Sequence, residues 1–196
     1  KTNKIKIGYK FGLEFMNSKN GRTFLAKLRK KIIFVDLKLN DTVNTMLSAV
    51  KALKDIKINY LTVHISSGLA ALKAVKKISG PTRIVGVTTL TSLNNNDLKL
   101  IGYNKSVKNL VAHQAKLAKK ANLDALVCSP YEVSAVRKIF KKEIITPGVQ
   151  IGKKNYDQKR SMEAKKVNSD WLVIGRAITA RGNIKKNIQN LIEKLR

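Results

Sequence analysis

Short apolar runs alternate with amphipathic segments along nearly the whole chain. Runs rich in β-branched residues predict strands, and apolar positions three or four residues apart predict the helices between them. The predicted strands lie at residues 5–12, 32–38, 60–64, 84–90, 125–128, 143–146 and 171–174. The predicted helices lie at residues 21–30, 41–54, 69–77, 106–121, 131–140, 159–166 and 184–195. This alternation indicates a parallel sheet with right-handed crossovers.

A polar residue, a proline or a glycine lies at or just after the end of each predicted strand. This arrangement bears on the choice between an open sheet and a barrel. These residues include Lys10, Lys38, Ser66, Thr91, Ser129, Pro147 and Arg176. An open doubly wound sheet needs functional loops only at its switch point, whereas a barrel builds its site at the carboxyl end of every strand. We therefore predict an α/β fold, a TIM-type (β/α)8 barrel, as a single domain over residues 1–196. Because only seven strands are found, we expect the first barrel strand to be lacking and the domain to be truncated at its N-terminus.

The segment 32–45 joins a buried strand to a concentration of charge. It opens with the apolar run Ile-Ile-Phe-Val and continues into Asp36 and Lys38, which point to the same side of a strand. Asp41 and Thr42 follow where the next helix begins. Opposite charges at the end of a buried strand are costly unless they are paired or used. We interpret this as an active-site strand; the alternative is a surface ion pair on a frayed strand end.

The strong positive charge adds a second hypothesis. Forty Lys and Arg against twelve Asp and Glu give a net charge of +28, which suits nucleic-acid binding through counterion release. The basic residues are, however, spread over nearly every helix, and only 6% of residues are aromatic, whereas single-strand binding needs aromatic platforms. A solvated basic surface that attracts anionic metabolites is therefore favoured over a nucleic-acid partner.

The remaining composition restricts the cellular setting. Cys128 is the single cysteine, so no internal disulfide forms, and no Cys/His spacing indicates a zinc site. No apolar run is long enough to span a membrane. His64 and His113 match no catalytic pattern and are interpreted as structural. We expect a cytoplasmic protein without a zinc site or a membrane span.

Several short blocks occur in a specific order along the chain. The first is Asp36-x-Lys38-x-x-Asp41, continued by Thr42, Asn44 and Thr45. The others are residues 10–14, 63–64, 87–92, 126–132, 146–149, 157–160 and 173–179. Together they resemble the orotidine 5′-phosphate decarboxylase family. The first block alone would be weak evidence, but the ordered set covers nearly the whole chain.

The resemblance implies a reaction and a set of catalytic residues. The reaction is the cofactor-free decarboxylation of orotidine 5′-phosphate to uridine 5′-phosphate in de novo pyrimidine biosynthesis. Lys38 would donate a proton to the carbon that loses its carboxylate, within an alternating charged network formed with Lys10, Asp36 and Asp41. The resemblance also implies a homodimer in which Asp41 and Thr42 reach the active site of the partner subunit.

The same resemblance implies how the pyrimidine nucleotide is held. Arg176, Gln158 and the backbone at Gly175 would bind the phosphate, whereas Thr91 and Ser92 would face the base and Pro147 would cover it. Two departures from the family pattern stand out. Gln150 occupies a position where the family usually has arginine, and no strand with the family's ribose-binding aspartate precedes Lys10.

Two alternative functions remain open at this stage. A magnesium-dependent decarboxylase or aldolase of the same barrel superfamily, acting on sugar phosphates such as 3-keto-gulonate 6-phosphate, shares the Asp-x-Lys-x-x-Asp block. The continuation at residues 41–45 and the block at 157–160 favour the nucleotide enzyme. The second alternative is a basic nucleic-acid-binding protein on a degenerate barrel.

Overall fold

The computed structural model describes residues 5–28, 30–150, 162–163, 167–179 and 182–195. The strands are β1 (Gly8–Phe11), β2 (Ile32–Leu39), β3 (Tyr60–His64), β4 (Arg83–Val87), β5 (Ala125–Val127), β6 (Glu143–Thr146), β7 (Val149–Gln150), β8 (Met162–Glu163) and β9 (Trp171–Leu172). The helices are α1 (Leu13–Asn17), α2 (Gly21–Lys27), α3 (Val43–Ala52), α4 (Leu69–Ile78), α5 (Asn95–Leu100), α6 (Val107–Lys120), α7 (Val133–Ile139), α8 (Arg176–Thr179) and α9 (Ile184–Leu195). A 3-10 turn covers Ile65–Ser67.

The main sheet takes its strands in chain order, β1-β2-β3-β4-β5-β6-β9. The described pairings β1 with β2, β2 with β3, β3 with β4 and β6 with β9 are all parallel. A second, two-stranded parallel sheet joins β7 to β8. Parallel neighbours in chain order require a crossover between each pair, and the helices supply these crossovers. The predicted parallel α/β class is confirmed.

Two compact units can be distinguished, and the first comprises Lys1–Val87 with Leu117–Ala125. Its central strands β2 and β3 are buried along most of their length, as apolar runs without alternation predict. Val35, Leu61 and Val63 have no exposed surface. Polar side chains placed at the ends of these strands are therefore held on a rigid support.

The second unit comprises Thr88–Lys116 with Leu126–Arg196. The part of helix α6 in this unit, residues 107–116, buries Val107, Val111 and Ala115, which recur at helical spacing, while its lysines are exposed. In β6, the successive residues Ile144 and Ile145 are both buried. The division into two units leaves the predicted single domain over residues 1–196 a prediction.

Most predicted elements are present, but their ends differ where side chains compete with the regular pattern. The strand predicted at 84–90 ends at Val87, because Thr88 bonds to the carbonyl of Val127 and Thr89 bonds to Gln114. The helix predicted at 21–30 ends at Lys27. The helix predicted at 159–166 is wrong at residues 162–163, which form β8, and its other residues lie outside the described part.

The described helices are short. The longest is α6, with 14 residues, whereas a helix that crosses a bilayer needs about 20 apolar residues. Within the described residues, no helix is long and apolar enough to span a membrane. The same ranges contain no strand before β1, the strand that carries Lys10.

Candidate active site

Three of the four predicted charged residues meet at the ends of β1 and β2. The Nζ atom of Lys10 lies 2.8 Å from Oδ2 of Asp36, and the Nζ atom of Lys38 lies 3.0 Å from Oδ1 of the same carboxylate. Asp36 is only 7% exposed, whereas each lysine side chain keeps about a third of its surface (34%) in contact with solvent. We call Lys10, Asp36 and Lys38 the charged cluster.

An irregularity in β2 places Lys38. Strand β2 pairs Val35 with Leu61 but Leu39 with Val63, so three residues of β2 lie opposite Thr62 alone. Lys38 adopts a φ of 51°, in the left-handed region that a side chain with a Cβ enters at an energetic cost. Non-glycine residues hold such conformations only where the surroundings impose them, and functional sites are where they concentrate.

Thr62 joins the backbone of Lys38 to the side chain of Asp36 through two hydrogen bonds. Its Oγ1 accepts the backbone N–H of Lys38 at 2.7 Å and donates to Oδ1 of Asp36 at 3.0 Å. Sequence reasoning missed Thr62 because threonine is a common strand residue. The signal was a single polar side chain in the otherwise apolar start of β3, and Thr62 has no exposed surface.

The cluster carries more positive than negative charge. Burial alone raises the pKa of Asp36, but the ammonium groups of Lys10 and Lys38 outweigh burial and hold the pKa below its ordinary value. Asp36 is therefore ionised at neutral pH. One carboxylate against two ammonium groups leaves a net charge of about +1, which attracts an anionic substrate.

His64 lies two residues beyond Thr62, so both side chains point to the same side of β3. Burial and the nearby charge of Lys38 lower the pKa of His64, and Asp36 opposes them only in part. His64 is therefore a neutral imidazole at neutral pH. Its interpretation from the sequence as merely structural overlooked its electrostatic coupling to the cluster.

Asp41 and Thr42 lie on the exposed turn between β2 and α3. The carboxylate of Asp41 accepts the backbone N–H of Thr42 at 2.6 Å, and Oγ1 of Thr42 lies 3.1 Å from Oγ1 of Thr45. Among the residues that the structure describes, Asp41 forms no ion pair with a lysine. Within one chain, the predicted four-residue network therefore consists of three residues.

Apart from Thr42, which lies in the first unit, the predicted substrate-binding residues that the structure describes belong to the second unit. Thr91 is half-buried and Ser92 is exposed, and both lie on the turn that follows β4. The next helix, α5, begins with a capping box, in which the side chains of Asn94 and Asp97 each accept the backbone N–H of the other. Pro147 follows β6 directly and is half-buried.

Two more predicted residues lie near the C-terminal end of the second unit. Gly175 precedes α8, and Arg176 is its first residue; both are exposed. A Cβ added at Gly175 would meet no atom within 4 Å, so the backbone there is open to approach. Gln158 lies outside the described residues.

In residues 5–28, 30–150 and the shorter described segments, no group of three His, Cys, Asp or Glu side chains could hold a metal ion. The magnesium-dependent alternative is therefore to be decided by experiment with a chelator.

Parallel strands in chain order, with lysines and a carboxylate at their carboxyl ends, define the class of barrel enzymes that place their sites on this face. Residues 3–191 match the model of the family described as "Orotidine 5'-phosphate decarboxylase / HUMPS family". The chain belongs to this family, and the prediction made from the ordered sequence blocks is confirmed.

Individual relatives agree with the family assignment. A protein named orotidine 5′-phosphate decarboxylase from Wolbachia pipientis subsp. Culex pipiens is 40% identical over 200 residues, which cover 97% of this chain and 88% of the relative. A protein of the same name from Buchnera aphidicola subsp. Schizaphis graminum is 38% identical over 188 residues, covering 90% and 80%. The match therefore extends over most of both chains.

Solved structures show the same fold. Orotidine 5′-phosphate decarboxylase from Lactobacillus acidophilus matches with a TM-score of 0.80 and 27% identity, covering 95% of this chain and 85% of that one. The Methanocaldococcus jannaschii enzyme, solved with the inhibitor BMP, matches with a TM-score of 0.76 at 22% identity, covering 95% and 85%. The predicted TIM-type barrel fold is confirmed.

Proposed function

We propose that this protein decarboxylates orotidine 5′-phosphate to uridine 5′-phosphate, a step of pyrimidine biosynthesis that we place in the cytoplasm. The relatives named as this enzyme support the reaction. The observation that carries the proposal is the charged cluster, in which one buried carboxylate orients two lysines at the ends of adjacent parallel strands. A rigidly held ammonium group is what a reaction that develops negative charge on carbon requires.

Lys38 is the proposed proton donor. As the bond between the ring carbon and the carboxylate breaks, carbon dioxide leaves and the electron pair stays on carbon. The ammonium group of Lys38 stabilises this charge and then transfers its proton to the carbon. Lysine becomes neutral and regains a proton from solvent, so no cofactor enters the balance.

Asp36 and Lys10 hold Lys38 in place. With Oδ1 on Lys38 and Oδ2 on Lys10, the carboxylate of Asp36 restricts the rotamers of both lysines. A fixed donor avoids an entropic cost in the transition state. Placed beside the substrate carboxylate, Asp36 also repels it, and this repulsion is relieved when carbon dioxide leaves.

Asp41 and Thr42 are proposed to complete the site of a partner subunit in a homodimer. Their exposure in the single chain leaves both side chains accessible to another molecule. Lys38→Ala and Asp41→Ala should each be inactive alone. After mixing and subunit exchange, half of the dimers are mixed and carry one native site, which predicts about a quarter of wild-type activity. Exchange without recovered activity would contradict the shared site.

The phosphate and base are proposed to contact the second unit. Arg176, Gln158 and Gly175 bind the phosphate, Thr91 and Ser92 contact the base, and Pro147 covers it. A guanidinium group binds phosphate through paired, charge-assisted hydrogen bonds. Arg176→Ala should therefore raise KM for the nucleotide with a smaller effect on kcat, whereas Arg137→Ala, which loses a pair with Asp170, should leave KM unchanged.

The deciding experiment follows the ultraviolet absorbance of orotidine 5′-phosphate in the presence of the purified chain. Turnover that continues in excess EDTA is expected. Turnover that EDTA abolishes, or activity only on 3-keto-gulonate 6-phosphate with magnesium, would replace this proposal with the sugar-phosphate reaction. Salt-sensitive retention of nucleic acid without turnover would favour the binding protein instead.

A further inference from the structure

The hydroxyl of Thr62 links the backbone of Lys38 to the side chain of Asp36. A backbone N–H only donates, so Oγ1 must accept at Lys38. An ionised carboxylate only accepts, so the single hydroxyl proton must point to Oδ1 of Asp36. The direction of both hydrogen bonds is therefore fixed, and the hydroxyl that makes them belongs to a residue with no exposed surface.

We propose that Thr62 is a positioning residue that holds Lys38 in its left-handed backbone conformation and aligns Asp36 between the two lysines. The inference rests on the proposed function, in which Lys38 transfers the proton. Asp36 Oδ1 receives both the Thr62 hydroxyl and the Lys38 ammonium group. One side chain thus fixes Lys38 twice, through its backbone and through its ion-pair partner.

The geometry of β2 explains why this support is needed. The backbone at Lys38 departs from the regular ladder, and its φ of 51° is strained for lysine. Without the acceptor at Thr62, the part-buried N–H of Lys38 loses the hydrogen bond that offsets this strain. The backbone is then expected to relax, and the ammonium group moves away from the position from which it transfers the proton.

Three variants separate a positioning role from simple packing. Thr62→Val keeps the shape and branching of the side chain but removes the hydroxyl, whereas Thr62→Ser keeps the hydroxyl and removes a methyl group. Thr82→Val is the matched control, because Oγ1 of Thr82 bonds only weakly to the carbonyl of Ile58, at 3.3 Å, in the same unit. Thermal melts of all three confirm folding before comparison.

Two measurements do not depend on turnover. Hydrogen exchange at the Lys38 amide should accelerate by about tenfold or more in Thr62→Val, since the amide loses its buried acceptor. The 13C resonance of the Asp36 carboxyl should titrate at higher pH in Thr62→Val, because loss of a donor to the charged form raises its pKa. Thr62→Ser and Thr82→Val should resemble the wild type in both.

The third measurement is kcat and KM for orotidine 5′-phosphate. We expect kcat of Thr62→Val to fall by about 10- to 100-fold with KM within about threefold, because a misplaced donor impairs the chemical step more than binding. Thr62→Ser should restore most of kcat. Unchanged amide exchange in Thr62→Val, or faster exchange with unchanged kcat, would overturn the positioning role.

The same design separates the two proposals. If the wild type has no decarboxylase activity, the proposed function is wrong, yet amide exchange and carboxyl titration still decide whether Thr62 positions Lys38 and Asp36. If the wild type is active but Thr62→Val retains wild-type exchange, titration and kcat, the positioning role alone is wrong.

Discussion

Two lysine–aspartate groups in the first unit contain the same residue types but differ in their role. In the charged cluster, Asp36 binds Lys10 and Lys38 at the ends of β1 and β2. In the second group, which we call the Asp124 pair, Lys76 contacts both carboxylate oxygens of Asp124, at 2.8 and 2.7 Å. Asp124 also accepts the backbone N–H of Ile84 at 2.8 Å.

The two groups differ in charge balance and in strain. The Asp124 pair is neutral, and it joins the start of β4 to the start of β5, on the face of a barrel that serves stability. The charged cluster has an uncompensated positive charge, lies toward the carboxyl ends of its strands and includes a strained backbone at Lys38. A cluster with a net positive charge and a strained backbone indicates an anion-binding site, whereas a neutral pair indicates a structural role.

The largest expected effect distinguishes Lys38 of the charged cluster from Lys76 of the Asp124 pair. Lys38→Ala should lower kcat for orotidine 5′-phosphate by about 10⁴-fold or more, because it removes both the proton donor and a charge that stabilises the transition state. Steady-state absorbance assays give this value. Activity within tenfold of wild type would remove Lys38 from the mechanism.

Lys76→Ala is the matched variant, since it removes the lysine of the Asp124 pair. Activity per folded molecule should stay within about threefold of wild type, as Lys76 contacts Asp124 and no residue of the charged cluster. Thermal denaturation should show a lower Tm. A large loss of kcat in well-folded Lys76→Ala would contradict a purely structural role for the Asp124 pair.

The two aspartates should differ in the property that each substitution lowers most. Asp124→Asn leaves a largely buried Lys76 without its charge partner and should lower the free energy of unfolding by about 2 kcal/mol, with activity maintained. Asp36→Asn should lower kcat by about 10²- to 10³-fold because the lysines lose their alignment. Urea denaturation and steady-state kinetics on both variants test whether Asp124→Asn acts mainly on stability and Asp36→Asn mainly on kcat.

A smaller effect should appear in acid. The pKa of Asp36 lies below its ordinary value of 3.8, so its charge stabilises the fold above pH 3.8, and this contribution disappears as pH falls from there through the folded-state pKa. The difference in Tm between the wild type and Asp36→Asn should therefore shrink as the pH is lowered below about 4. A constant difference across this range would contradict the pKa shift.

The smallest expected effect concerns His64. Its lowered pKa means that the unfolded chain binds a proton below about pH 6.5 while the folded chain does not, so His64 opposes folding as pH falls through this range. His64→Gln should lose less stability than the wild type between neutral pH and the folded-state pKa of His64. Parallel pH dependences would contradict the lowered pKa of His64 in the folded chain.

The sequence predicted those features that follow from local patterns. The bounds of β3, β6 and α9 agree with the prediction, because long apolar runs or a clean helical period determine them. Asp36 and Lys38 were assigned to one side of β2 from their spacing, and their atoms meet at 3.0 Å. Family membership followed from ordered blocks rather than from any one motif.

Features that depend on contacts distant in sequence were not predictable. The hydroxyl of Thr62 meets Asp36 only because β2 and β3 pair with an irregular register, which no local pattern specifies. The early end of β4 depends on Gln114, 25 residues away in the chain.

The left-handed backbone at Lys38 has an evolutionary consequence. Glycine adopts a φ near 51° without the steric penalty of a Cβ, so a change of Lys38 to glycine would relieve strain while it removes the proposed proton donor. Selection for folding therefore gives this lysine no protection against mutational drift, and a lineage that ceased to need the reaction would lose it early.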